Sequence, residues 1–291
     1  MSLLPIVLAW LLLVAGPAHA FVVRDMLGRE VRLAAPPGRI ISLVPSVTEI
    51  IFALGGEGRL VGVTDYCDFP PEAKQRPSVG GMLAPSLEAI VALRPDLVIA
   101  TNQGNRQETV LQLERLGVPV YLVGANRLAE MMDLIARLGE LTGRQEAVGP
   151  LIRRLEERVQ AVSKAVKKFR RPRVLYVLWP DPLIVPGSEA LVSELIHLAG
   201  GQSITGENAD SYPRLSLEAA VAGAPEVILL ANHGSGSSPM SREKWERLTR
   251  LSVIKAGRVH SVDGNLLHRY GPRVVDGLEQ LGRVIHPEAF R

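Results

Sequence analysis

The stretch Ser86-Leu87-Glu88-Ala89-Ile90-Val91-Ala92, which runs on through Pro95 into Asp96-Leu97-Val98-Ile99, decides the reading of this chain because it occurs twice. Ser216-Leu217-Glu218-Ala219-Ala220-Val221-Ala222 runs on through Pro225 into Glu226-Val227-Ile228-Leu229. In each copy a serine suits the N-cap, where its side-chain oxygen takes up a backbone N–H that the first helical turn leaves unpaired. The apolar run after the proline has the length of a buried strand. Each copy also puts a glutamate in the first turn, where the helix dipole favours negative charge. Upstream, Glu49-Ile50-Ile51 before Gly55-Gly56 is echoed by Glu194-Leu195-Ile196 before Gly200-Gly201. The same order of parts in both halves predicts two similar α/β lobes, and two like lobes enclose a cleft. Glu88 and Glu218 then become surface points related by an approximate two-fold, a geometry suited to docking on a symmetric partner.

Working outward, residues 21–38 read as a strand-rich opening arm ending in Pro36-Pro37-Gly38. Arg39 to Leu43 reads as a strand, and Ser46-Val47-Thr48-Glu49 as a capping box that starts a helix ending at Gly55-Gly56. Strands are predicted at 60–64, 96–100 and 118–123, with helices at 86–93, 105–116 and 127–141. This alternation implies a mainly parallel sheet covered by helices, and hence two Rossmann-like lobes. From Gln145 to Phe169 there is no strand signal; Leu151, Leu155, Val159, Val162 and Val166 keep a helical stripe, and Pro150 can sit near the first turn. That is a long helix where an interlobe linker belongs. A second series follows, with strands near 173–178, 226–230 and 258–262 and a closing helix over 272–285. The predicted division is 1–20 as a signal segment, 21–143 as the first lobe, 144–170 as the linking helix and 171–291 as the second lobe.

Residues 3–15 are almost wholly apolar, and Ala18-His19-Ala20 supplies the small residues of a signal-peptidase site. The apolar core is too short for a stable membrane span. The first twenty residues carry no Lys or Arg, so only the amino terminus supplies positive charge. No Cys follows the apolar stretch to take a lipid, so a soluble protein secreted to a Gram-negative periplasm is expected. The single cysteine, Cys67, excludes an internal disulfide framework and a Cys-rich zinc site. It reads as a small, partly buried loop residue. The net charge of +3 is spread among acidic and basic residues, except at Lys164–Arg173, which reads as the solvated end of a helix rather than a nucleic-acid site. Beyond residue 20 all five histidines lie in the second half, at 197, 233, 260, 268 and 286. A zinc or manganese receptor drawing ligands from both lobes is therefore disfavoured. Nor is there a Gly-x-Ser-x-Gly elbow, a phosphate-loop pattern or a His-Glu-x-x-His motif. Gly234-Ser235-Gly236-Ser237-Ser238 reads as a flexible loop.

Several motifs in order carry a resemblance. Arg39-Ile40-Ile41-Ser42-Leu43-Val44-Pro45-Ser46-x-Thr48-Glu49, Val61-Gly62-Val63-Thr64, Asp68-Phe69-Pro70-Pro71-Glu72-Ala73 and the Ser86 to Val98 stretch resemble the first lobe of helical-backbone periplasmic binding proteins. These are receptors of ABC importers for vitamin B12, haem and ferric siderophores, and the likeness is strongest to the vitamin B12 branch. The resemblance implies two rigid lobes joined by one long helix, a ligand between them, no catalysed reaction and no resident cofactor. It also implies a permease dimer as partner, with arginines that meet Glu88 and Glu218.

For the ligand contacts, the resemblance points to Tyr66, Trp179 and Tyr212 as aromatic surfaces for a macrocycle, with Arg269 and Asn265 as donors to its amide or propionate edge. Met82 and Thr101 stand where the vitamin B12 receptors carry tryptophans, a departure that bears on the first-lobe face of the site. Trp179 reads equally well as a packing residue, and Trp245, on a charged stretch, reads as packing. The expected cargo is a corrinoid, with cobalamin foremost. Haem or a ferric siderophore is the alternative, with Tyr66 or His268 as the axial ligand of a haem iron. A tetrapyrrole chelatase is the more distant one.

Overall fold

The computed structural model describes residues 21–233, 253 and 256–291. The predicted signal segment, the Gly234–Ser238 loop and Trp245 lie outside them. Elements are numbered below in chain order among the described residues.

Two four-stranded parallel sheets carry the fold. The first is built from β3 (Ile40–Ser42), β4 (Leu60–Val63), β5 (Leu97–Thr101) and β6 (Val120–Val123), in the order β4-β3-β5-β6. The second is built from β7 (Arg173–Val177), β10 (Gln202–Ser203), β11 (Val227–Asn232) and β12 (Val259–Asp263), in the order β10-β7-β11-β12. The two orders correspond strand for strand. Every residue of β5 is buried, as a parallel strand covered on both faces requires. The helices are α1 (Pro45–Ala53), α2 (Leu87–Ala92), α3 (Gln107–Arg115), α4 (Leu128–Leu141), α5 (Gln145–Val166), α6 (Leu191–Leu198), α7 (Leu217–Ala222), α8 (Gly264–His268) and α9 (Val274–Ile285). Sequence reading missed the hairpin of β8 (Trp179–Pro180) with β9 (Leu183–Ile184), the two-residue β10 and the short α8. All are too brief to show a period. The opening arm is an antiparallel hairpin of β1 (Phe21–Arg24) and β2 (Glu30–Leu33).

The repeat holds at the level of single hydrogen bonds. The Ser86 and Ser216 hydroxyls each accept from the third residue on, Ala89 N and Ala219 N, at 3.1 Å. After each of these helices comes a non-glycine residue with positive φ, Arg94 (46°) and Ala224 (43°). The Arg39 guanidinium donates to the Arg94 carbonyl at 3.0 Å, and that of Arg173 to the Ala224 carbonyl at 2.9 Å. The strand-leading amides of the same arginines donate to Asp96 and Glu226, each at 3.0 Å. Gly55 and Gly200 end α1 and α6 with φ of 71° and 81°, a conformation open to glycine at little cost.

Two expectations are corrected. Ser46 does not cap α1: the helix starts at Pro45, its N-cap is Val44, and no side chain caps it. Pro suits the first turn because its missing N–H is unpaired there in any case. Pro150 lies in the second turn of α5, next to the first, because the helix begins at Gln145. The Lys164–Arg173 patch is not simply solvated. Arg170 pairs with Glu226 at 2.6 Å, and Arg171 donates to the His197 carbonyl at 2.8 Å, so both close the second lobe.

Helix α5 buries Leu151, Leu155, Val162 and Val166 and packs on α4 of the first lobe and α9 of the second. One continuous apolar core runs from α1 and α4 through α5 into α6 and α9. Arg158 of α5 fixes the register by pairing with Asp276 at 2.6 Å and Glu279 at 2.8 Å on α9. Across the lobes Glu49, fully enclosed in α1, pairs with Arg273 at the start of α9 through Nε at 3.0 Å and through a second nitrogen. The Arg273 guanidinium also lies 3.8 Å from the centre of the Phe69 ring. Removing one partner of a buried pair strands the other charge, whereas removing both leaves an apolar gap. Glu49→Ala should therefore lower the unfolding free energy by about 2–3 kcal/mol. Adding Arg273→Met should recover much of that loss, and denaturant titration of both variants checks the pair.

Candidate ligand-binding cleft

Parallel α/β lobes expose loops at the carboxyl ends of their strands, and ligands bind there. Here those ends face a common cleft of about 960 Å³. From the first lobe, Val44 to Ser46 follow β3; Asp65, Tyr66 and Asp68 follow β4; Thr101 and Gln103 end and follow β5; and Val123 to Asn126 end and follow β6. From the second, Leu178 follows β7, His233 follows β11, and Gly264, Asn265, His268, Arg269 and Tyr270 follow β12. Met82, Leu134, Ser211 and Tyr212 complete the lining.

Six of the seven predicted ligand residues meet in this cleft: Tyr66, Met82, Thr101, Tyr212, Asn265 and Arg269. The exception is Trp179. It opens β8 outside the lining and turns its indole N–H to the Asp181 carbonyl at 2.9 Å. Glu88 and Glu218 are exposed on α2 and α7, away from the lining. Tyr66 is 58 % exposed, so its ring is free to cover an apolar face. Met82 and Thr101 are pinned together by Asn105. Its carbonyl oxygen accepts from Thr101 N at 2.8 Å and its amide donates to the Met82 carbonyl at 2.7 Å. Cys67 is buried just behind the cleft, where its thiol accepts from Thr48 at 3.2 Å, and burial pushes that thiol up.

Charge in the cleft is largely spent on itself. Arg269 forms a two-nitrogen pair with Asp68 across the lobes. Burial works against the Asp68 carboxylate, but the Arg269 hydrogen bond and charge outweigh it and hold Asp68 below the usual carboxylate range. Asp65 accepts from the Ser78 hydroxyl. Burial also lowers His233, against the pull of Asp263. Gln103 donates to the Asn126 side chain at 2.6 Å, and the carboxamide of Asn265 has no partner among the described residues.

Sequence reading passed over Asp65, Gln103, Asn126, His233 and Tyr270, and gave Asp68 no role in the site. All but Tyr270, which follows α8, lie within five residues of a strand's carboxyl end, which was the available signal. His268 was read as a possible iron ligand, but both of its ring nitrogens are engaged. Tyr176 Oη lies 2.8 Å from Nε2 and Tyr212 Oη 3.4 Å from Nδ1, and Tyr212 Oη lies 2.7 Å from Tyr270 Oη. Burial, with His233 adding to it, pushes His268 down to about 3, so the ring is neutral. Among the described residues no group of three or more His, Cys, Asp or Glu side chains could hold a metal ion, and no helix is long and apolar enough to cross a membrane.

A family model described as periplasmic binding protein matches residues 40–262. The chain is 30% identical over 246 residues to the vitamin B12-binding protein of Vibrio cholerae, spanning 84% of this chain and 88% of that one. The crystal structure of the V. cholerae protein superposes with a TM-score of 0.74, covering 88% of this chain and 99% of the other. A periplasmic haem-binding protein from Pseudomonas aeruginosa superposes with a TM-score of 0.75 at 29% identity, covering 86% and 93%. An uncharacterised ABC transporter substrate-binding lipoprotein of Bacillus subtilis is 27% identical over 274 residues, 92% of this chain and 86% of that one. The relatives are binding proteins rather than enzymes, which removes the chelatase alternative. With the match covering most of its length and both sheets and the cleft in place, this chain belongs to the periplasmic binding protein family and captures a ligand rather than transforming one.

Proposed function

We propose that the protein captures a corrinoid, with cobalamin foremost, in the interlobe cleft and delivers it to an ABC permease from the periplasm. The observation that carries this reading is the balance of charge in the cleft. Its described lining holds two carboxylates, Asp65 and Asp68, and one guanidinium, Arg269, already paired with Asp68. A haem brings two propionates, which would find no unpaired cation among the described lining residues to meet them and would lose their hydration there. A corrin edge carries mostly neutral carboxamides. Gln103, Asn126 and Asn265 supply both donors and acceptors of matching kind. Tyr66, Met82, Val123, Leu134 and Leu178 offer apolar surface to the macrocycle.

A haem reading has its own support in the P. aeruginosa structure and in the exposed phenol of Tyr66, which could ligate iron. Visible spectra and calorimetry with cyanocobalamin and haemin decide between them. Cobalamin should bind more tightly, and tighter binding of haemin, with a tyrosinate-ligated spectrum, would overturn the reading. Tyr212→Ala and Arg269→Ala should each weaken cobalamin binding by about 1–3 kcal/mol while the fold survives.

Delivery needs a second surface. Glu88 and Glu218 stand at matched helix starts and are fully solvated. The Glu218 carboxyl is held below its usual range by its own backbone amide and by the Ser216 hydroxyl, so it is ionised. In this reading the two carboxylates meet arginines on the two permease subunits and set the register of docking. Reversing both to Lys should leave ligand affinity unchanged in calorimetry but abolish uptake in cells, because like charges across an interface cost several kcal/mol. Each single reversal should be milder. Normal uptake in the double variant would remove the docking role, and loss of ligand binding would move the glutamates into the fold or the site.

A further inference from the structure

Three hydroxyls and an imidazole form a chain running from the cleft wall into the second lobe, and its polarity can be worked out by counting protons. Tyr176, His268, Tyr212 and Tyr270 are joined by three contacts, at 2.8, 3.4 and 2.7 Å. With the imidazole neutral, the chain holds four protons for those three hydrogen bonds: one on each tyrosine and one on the ring. One proton is therefore surplus, and it resides at one end of the chain or the other.

The two ends differ in what surrounds them. Tyr176 lies one residue before the end of β7, is fully enclosed, and is not part of the cleft lining. Its hydroxyl has His268 Nε2 as its partner and no other among the described residues. If Nε2 carried the ring proton, Tyr176 would accept it and its own proton would be buried with no acceptor, at the full cost of desolvating a polar group. Tyr212 and Tyr270 line the cleft, so a surplus proton there can reach solvent or a ligand. The low-cost arrangement therefore has Tyr176 donate to Nε2, and Nδ1–H donate to Tyr212. The Tyr212–Tyr270 pair then shares one bond and keeps one proton over. Neutrality of the ring, held by burial, is what keeps this direction fixed.

We propose that the Tyr212–Tyr270 pair presents a fixed hydrogen-bond donor to the cleft, and that the ligand group facing it is an acceptor, the carbonyl oxygen of a peripheral carboxamide. Tyr176, behind the lining, and His268, within it, act as positioning residues that set this polarity. The acceptor assignment rests on the corrinoid reading of the cleft, whereas the donor assignment rests on the chain alone. A peripheral carboxylate would also accept, but it would meet Asp65 and a neutralised Arg269 in the same space.

Nitrogen-15 NMR of histidine-labelled protein tests the polarity without any ligand. His268 should be the Nδ1–H tautomer across neutral pH, and the Nε2–H tautomer would overturn the proposal. Tyr176→Phe should release the tautomer preference with the fold retained, a change that a merely structural role for Tyr176 would not produce. Calorimetry with cyanocobalamin tests the contact. Tyr270→Phe and Tyr212→Phe should each lose roughly threefold to tenfold in affinity, the range for one neutral hydrogen bond. Tyr176→Phe should lose part of that although it touches no ligand. Full affinity in both cleft variants, with the wild type binding normally, would overturn the donor role. A wild type that does not bind cobalamin would instead sink the corrinoid reading, and the tautomer would still decide the donor.

Discussion

An open cleft between two lobes survives only if something stiffer than a loop sets the distance between them, and helix α5 does so. Its 22 residues span about 33 Å. Along that length it buries one apolar stripe against helices of both lobes, so the core is continuous through the linker. Arg158 then ties it to two carboxylates of α9. The enclosed Glu49–Arg273 pair adds a second fastening between the lobes, where a purely apolar contact would permit sliding. A linker without such packing would leave the ligand to order the two lobes on arrival, and that entropy would be subtracted from its affinity.

Because the lobes are held, the cleft can keep polar groups that a collapsing interface would have to pair or exclude. Asp68 and Arg269 neutralise each other across the gap, and Gln103 and Asn126 hold each other while leaving capacity for a guest. The described lining is polar in its hydrogen bonding and holds one more carboxylate than guanidinium, Asp65 and Asp68 against Arg269. In the corrinoid reading, such a site would select by the placement of donors and acceptors on the ligand rather than by attraction to its charge.

The lobes, the parallel sheets and the linking helix were legible because each rests on a periodic or repeated pattern: the 86–99 and 216–229 copies, and the apolar stripe from Leu151 to Val166. Boundaries came out close because glycines at 55 and 200 and serines at 86 and 216 mark them chemically. What escaped was long-range. Glu49 reads locally as the acid of a capping box, and only the fold brings Arg273 to it, 3.0 Å away. Asp68 and Arg269 are paired from opposite lobes, and no local pattern reports that. Trp179 reads equally as a ligand contact or a packing residue, and only the structure shows its indole N–H turned to the Asp181 carbonyl of its own hairpin. Tyr176 shows why the hydroxyl chain was illegible: it reads as one apolar residue in a buried strand, which it is, apart from its last atom.

The matched staples at Arg39 and Arg173 have a mechanical consequence. Each arginine binds the end of a short helix with its side chain and the head of the following strand's turn through its amide, so α2 and α7 are fastened to their sheets at the end opposite the serine cap. A six-residue helix fixed in this way cannot swivel by itself; it moves only as part of its lobe. The gap between the two exposed carboxylates on α2 and α7 is therefore a caliper whose jaws are the sheets. Any change in the angle between the lobes reaches that gap without being absorbed by local bending.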